Sequence, residues 1–138
     1  MITTSTIPIS TRGFTDIKDL TPQVRQSLRA SGMQEGAVTL FVSGATAGLT
    51  TIEYEPGLLE DLPAAFEKIA PMQARYAHDD TWHDGNGYAH VRAALLGPSL
   101  VVPFAHGELL LGTWQQIVLI DFDNRPRRRE IVVQFAGE

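Results

Sequence analysis

Cysteine is absent from all 138 residues, which excludes disulfides, thiolate nucleophiles and cysteine-ligated zinc. Long apolar runs are missing too. Nothing approaches the roughly 20 residues of a membrane span, so no membrane partner is expected. The start, Met1-Ile2-Thr3-Thr4-Ser5-Thr6, has neither the basic opening nor the apolar stretch of a secretory signal, and a cytoplasmic location is expected. Basic residues are in deficit: 11 Lys and Arg stand against 16 Asp and Glu, a formal charge of −5. A general phosphate-backbone binder needs the opposite balance, so no nucleic-acid partner is expected. Repeats, low-complexity tracts and long linkers are also lacking, which leaves one domain over residues 1–138. A domain of that size buries roughly 68–70% of its unfolded surface and needs no metal to fold.

Within those limits the patterning is clear. Ile2 to Ser10 alternates like a strand, and Pro8 pushes it toward a sheet edge or an interruption. Thr21-Pro22 predicts a helix start with Thr21 as N-cap, Val24 and Leu28 on one face, and Gly32 just past the end. Val38 to Val42 and Leu49 to Tyr54 read as strands, separated by the small residues Ser43 to Gly48 in a bulge or tight turn. Pro56 to Ala70 is an amphipathic helix with Leu58, Leu59, Leu62, Phe66 and Ile69 at spacings of three and four. A short helix over Gly87 to Leu96 is closed by Gly97-Pro98. Leu100 to Phe104, Leu109 to Leu111, Ile117 to Phe122 and Arg127 to Phe135 are apolar segments joined by tight turns. Sequential strands with such turns imply antiparallel pairing, and strands at both ends around central helices imply an α+β fold.

Chemistry concentrates in one stretch. Between His78 and His90 lie three of the four histidines, three aspartates and Asn86. Imidazole, carboxylate and carboxamide groups bind metals, hold phosphate esters and move protons near neutral pH. With Gly87 to Leu96 helical, His90 falls in a first turn whose free N–H groups favour anions, and Asp84 or Asn86 lies near the cap. Spacing alone fits a helix cap with solvated histidines equally well. Glu53 and Glu55, two apart on an expected strand, share a face; solvent exposure is the commoner state of glutamate. Gly112-Thr113-Trp114-Gln115-Gln116 suits a wall that stacks on a flat ligand, although tryptophan is more often a core residue and Gly112 would then be a bulge. Arg125, Arg127, Arg128 and Arg129 read as a solvated hairpin.

Taken together and in order, several segments resemble the YjbQ family, also described as secondary thiamine-phosphate synthases. They are Ala45-Thr46-Ala47-Gly48-Leu49-Thr50 with Glu53, then Asp61, then Tyr76-Ala77-His78. Asp84-Gly85-Asn86-Gly87-Tyr88-Ala89-His90, Leu96-Gly97-Pro98-Ser99, Leu111-Gly112-Thr113-Trp114-Gln115 and the closing Gly137-Glu138 follow. The resemblance covers nearly the whole chain. It implies a β-rich antiparallel, jelly-roll-like sandwich with two to three helices, assembled as a homotrimer with pockets near the subunit interfaces. It also implies weak thiamine-phosphate synthase activity, joining a pyrimidine diphosphate to a thiazole phosphate with release of pyrophosphate. The catalytic positions it implies are Glu53, His78, Asp84, Asn86 and His90; the substrate contacts are Thr46, Gly112, Thr113, Trp114 and Gln115. A divalent metal (Mg, Mn or Zn) would be held by His78, His83 and His90. One departure stands out: many members carry a histidine where this chain has Gly44, and His83 is the candidate replacement. The same residues would also serve a phosphate- or metal-binding protein without turnover, or a metal-assisted phosphate-ester hydrolase.

Overall fold

The computed structural model describes residues 1–138. In chain order the elements are β1 (Ile2–Thr11), β2 (Asp16–Asp19), α1 (Thr21–Ser31), β3 (Gly36–Val42), β4 (Ala47–Ile52), α2 (Pro56–Ile69), α3 (Ala77–Trp82), α4 (Gly87–Leu96), β5 (Ser99–Ala105), β6 (Glu108–Leu109), β7 (Gln116–Asp121) and β8 (Arg127–Gly137). A five-stranded sheet in the order β1-β8-β3-β5-β6 faces a three-stranded sheet in the order β2-β7-β4. Every pairing is antiparallel. The α+β class expected from the patterning and the antiparallel sandwich implied by the resemblance are the observed architecture, with four helices where two to three were implied. Pro8 sits as expected on an edge, since β1 is the outermost strand of the larger sheet.

The apolar run Ile117 to Ile120 shows how the layers are built. Ile117 and Leu119 join a core with Val38, Leu40, Val102, Ile131, Val133 and Phe135 between the sheets. Val118 and Ile120 point the other way, into a second core with Phe66, Tyr88, Ala89, Ala93 and Phe122. A strand covered on both faces has no polar face, so its sequence is continuously apolar. In β8 the residues alternate instead: Ile131, Val133 and Phe135 are buried, while Arg128, Glu130 and Gln134 are exposed. Only one face of the larger sheet is covered.

Two short elements, β2 and α3, escaped the patterning; four and six residues carry too few periods to read. Two local readings are corrected. Thr21 is the first helical residue rather than the N-cap; its backbone N–H donates to Asp19 Oδ1 (2.9 Å) and its hydroxyl accepts from the Ile117 N–H (2.8 Å). That hydroxyl pins α1 to β7 instead of capping it. Glu53 and Glu55 do not share a strand face, because β4 ends at Ile52. Glu55 is the N-cap of α2, with its carboxylate accepting from the Gly57 and Leu58 N–H groups.

Candidate functional site

The three-stranded sheet has two ends, and the polar residues singled out above divide between them. In the β4–β7 register Ala47 lies opposite Asp121, and Ile52 opposite Gln116. Thr46 and Asp123 therefore belong to one end, and Glu53 and Gln115 to the other. A six-residue strand spans roughly 17–20 Å.

At the Asp121 end, α3 supplies His78, the following loop supplies Asp84 and Asn86, and the first turn of α4 supplies His90. The His78 and His90 rings lie 4.1 Å apart, centroid to centroid, at an interplanar angle of 43°. His78 Nε2 is 3.1 Å from Asn86 Oδ1 and 3.4 Å from Asp84 Oδ1. Burial, and then the neighbouring His78, hold the His90 imidazole below its ordinary pKa, against the pull of Asp84, Asp123 and Asp79. The neutral ring is thus the favoured form of His90. Asn86 does not use its carboxamide as a helix cap. Asp79 does that work, accepting from the Gly87 N–H at 2.9 Å. A side chain at position 87 would run into Tyr76, whose Cβ lies 2.5 Å from where it would start. Glycine there lets α3 and α4 come close enough to bring the two imidazoles together.

Beneath the histidines lies a buried ion network. Asp121 and Asp123 are both fully buried. Arg129 grips Asp121 with Nε to Oδ2 (2.7 Å) and Nη2 to Oδ1 (3.0 Å), and Thr11 donates to Oδ2 (2.7 Å). Asp123 accepts from Arg127 Nε (2.7 Å), Thr46 Oγ1 (3.1 Å), the Asn124 N–H (2.8 Å) and Asn86 Nδ2 (3.2 Å). Burial pushes the Asp123 pKa up, but the hydrogen bonds from Asn124, Arg127, Asn86 and Thr46 outweigh it and hold the carboxyl below its ordinary value. Asn124 Nδ2 also donates to the Asp84 carbonyl (2.7 Å), tying the histidine-bearing loop to the β7–β8 turn.

The arginine run is therefore not simply a solvated hairpin. Arg128 and Arg125 are exposed, while Arg129 is buried and Arg127 half-buried against carboxylates. The signal was present as matched spacing: Asp121 and Asp123 on one arm of a turn, Arg127 and Arg129 on the other, each pair two residues apart. Gly44 now has a physical reading as well. A Cβ at that position would lie 2.8 Å from Arg129 Nη1. The guanidinium, held by two carboxylates and Thr46, takes the space that a larger residue would occupy.

For a divalent cation, the residues whose donor atoms converge are His78, Asp79 and Asp84, all within 4.8 Å of one another. One imidazole and two carboxylates form a donor set that Mg, Mn or Zn accepts. Of the histidines expected to share a metal, only His78 belongs to this set. His83 is exposed and closes α3 in the left-handed conformation (φ 57°), and His90 stacks beside His78. Asp79 went unrecognised because it looks like one more acidic residue in an exposed helical turn.

The other end is an open groove. Glu53, Thr113 and Trp114 line a depression of about 330 Å³ with Asp19, Tyr54, Glu55 and Gln116. Trp114 is 72% exposed, so the core role that is commoner for tryptophan does not apply. Gln115 shapes this loop, accepting from the Gly112 N–H (3.0 Å) and donating to Thr51 Oγ1 (3.0 Å). Gly112 is not sterically required, since an added Cβ would meet only Gln115 atoms at ordinary contact distance. None of His78, Asp84, Asn86 or His90 lines the groove. Thr46, grouped with these residues by resemblance, lies at the opposite end with its hydroxyl engaged by Asp123 and Arg129.

Comparison with known proteins gives a consistent picture. Residues 5–138 match the family model described as UPF0047 protein YjbQ-like. A UPF0047 protein from Archaeoglobus fulgidus is 38% identical over 128 residues, 93% of this chain and 97% of that one. One from Methanothermobacter thermautotrophicus is 36% identical over 135 residues, covering 98% and 92% respectively. The crystal structure of a YbjQ-like protein of unknown function from Sulfolobus solfataricus P2 superposes with a TM-score of 0.94 at 33% identity, covering 100% of this chain and 99% of that one.

Proposed function

The chain belongs to the UPF0047 YjbQ-like family, and from that premise we propose that it is a transferase acting on phosphorylated small molecules, of the thiamine-phosphate synthase type. In such a reaction a thiazole ring nitrogen attacks the methylene carbon of a pyrimidine diphosphate. The carbon–oxygen bond breaks, and its electron pair leaves with pyrophosphate. Stabilising the departing charge is then the main demand on the protein.

The observation that carries this reading is the convergence of His78, Asp79 and Asp84 beside the His90-bearing first turn of α4. His78, Asp79 and Asp84 would hold a divalent cation, which when bound supplies positive charge to a phosphate ester or leaving group. The neutral His90 imidazole beside His78 can offer a ring N–H to a phosphate oxygen. Asp84, half-exposed, is open to act as a base. Trp114 and Tyr54 in the groove offer exposed aromatic faces for a flat ring.

The homotrimer belongs to the same reading. Within one chain the groove and the histidine cluster stand at opposite ends of a strand, so a ligand touching both needs two copies. The uncovered face of the larger sheet suits contact between acidic chains, because Thr39, Phe41, Val101, Val132 and Gln134 adjoin there without a charge among them.

The test is a steady-state assay of pyrophosphate release with both precursors, with and without Mg²⁺ or Mn²⁺, for wild type and His78→Ala. Turnover that needs the cation and is lost in His78→Ala supports the transferase. Saturable binding of either precursor without product would replace it with a binding protein. Phosphate release from a single precursor would replace it with a hydrolase. Light scattering in solution reports the trimer directly.

A further inference from the structure

Asn86 stands between a carboxylate and an imidazole. Its Nδ2 is 3.2 Å from Asp123 Oδ1, and its Oδ1 is 3.1 Å from His78 Nε2. A carboxamide has one donating end and one accepting end. Asp123 is fully buried and paired with Arg127, and it also accepts from Thr46 and from the Asn124 backbone. In that setting it is ionised, and an ionised carboxylate only accepts. Asn86 must therefore turn its amino group to Asp123, which leaves its oxygen for His78.

An amide oxygen cannot donate. The hydrogen of the His78–Asn86 contact must come from the ring, so Nε2 carries it. Asp84 Oδ1, 3.4 Å from the same nitrogen, is a second acceptor with the same requirement. The opposite tautomer would set the Nε2 lone pair against two oxygens. No hydrogen bond within the chain engages His78 Nδ1.

We propose that Asn86 and Asp123 are positioning residues that hold neutral His78 as its Nε2–H tautomer, so that Nδ1 is the atom His78 presents to its ligand. The role of that ligand rests on the transferase reading above; the tautomer does not. The chain of constraint starts at buried Asp123, held by Arg127, and ends at Nδ1 of His78. Metal-binding and general-base histidines are commonly oriented this way, through the nitrogen they do not use.

Long-range ¹H–¹⁵N correlation spectra of the full-length ¹⁵N-labelled protein, recorded above the histidine titration range, test the proposal. Loss of peaks in His78→Gln identifies the ring. The expected wild-type result is a protonated Nε2 and an unprotonated Nδ1. In Asp123→Asn the new amide can donate, Asn86 is free to turn over, and the single-tautomer pattern should give way to a mixture. Asn86→Ala leaves Asp123 with Arg127, Thr46 and Asn124 and should shift the pattern part of the way, since Asp84 at 3.4 Å remains as the weaker acceptor. A wild-type ring protonated at Nδ1, or an even mixture, overturns the proposal. So does a pure Nε2–H pattern that persists in both variants. Should Asp123→Asn fail to fold, the wild-type spectrum and Asn86→Ala decide alone. Absence of turnover in a protein with the expected tautomer would sink the transferase reading and leave this one standing.

Discussion

The two ends of the three-stranded sheet carry similar chemistry in opposite physical states. At the Asp121 end, carboxylates, guanidinium groups, a carboxamide and imidazoles are packed into one another, with Asp121 and Asp123 fully buried. At the Gln116 end, Glu53 and Trp114 stand in an open groove on two separate loops, which Gln115 and Gln116 tie together through Thr51 and the Tyr54 N–H. The first end has orientation built in, because every buried polar group there must find a partner. The second has access but little constraint. On the transferase reading proposed above, the precise placement that catalysis requires and the reach that recognition requires are separated along one strand.

The comparison is broken most directly at Arg129. Arg129→Ala leaves Asp121 buried without its cation, and removing one member of such a pair costs about 3–5 kcal/mol. Urea denaturation should show a loss of that size; a loss below about 1 kcal/mol would mean that the network is far wetter than the geometry indicates. Acid titration addresses the same end. The Asp123 carboxyl is held below its ordinary 3.8 in the folded protein. The unfolded chain therefore binds the proton more readily, and stability rises with pH between the folded pKa and 3.8. The contribution is complete above 3.8 and is lost as pH falls through the folded value. Stability curves for wild type and Asp123→Asn should converge in that acid range and separate above it.

Position 44 probes the same network from outside. Gly44→His must displace Arg129, and overpacking of this kind costs about 1–3 kcal/mol. Thermal unfolding would show it, and an unchanged midpoint would show that the guanidinium moves aside freely. Toward the groove the effects shrink. Glu55→Ala removes the cap of α2, with an expected cost of about 1 kcal/mol. Trp114→Ala should leave stability within about 0.5 kcal/mol, because the indole is mostly exposed. The same variant should weaken binding of a flat-ringed precursor by calorimetry; unchanged affinity would remove the groove from the site.

Much of this was legible before the fold was known. The run Ile117 to Phe122 announced a strand, the spacing of Leu58, Leu59, Leu62 and Phe66 announced α2, and the crowding of polar groups from His78 to His90 marked the cluster. Asp79 was not legible, and Asp123 left only its spacing against Arg127 and Arg129 as a signal, because an aspartate in sequence looks the same whether it caps a helix, anchors an arginine or faces water. Trp114 misled for a similar reason, since its size argues for burial unless a neighbouring layer fails to cover it.

By itself, then, the order of residues determined the longer secondary elements, their antiparallel joining and the stretch where imidazoles gather, because periodicity and turn chemistry act over a few neighbours. Only the folded chain decided which carboxylate meets which arginine, which end of the sheet each polar group occupies and which nitrogen of His78 is free. Those outcomes depend on contacts such as Asn86 with Asp123, 37 residues apart, and on the demand that a buried charge or hydrogen-bonding group be satisfied wherever packing happens to place it.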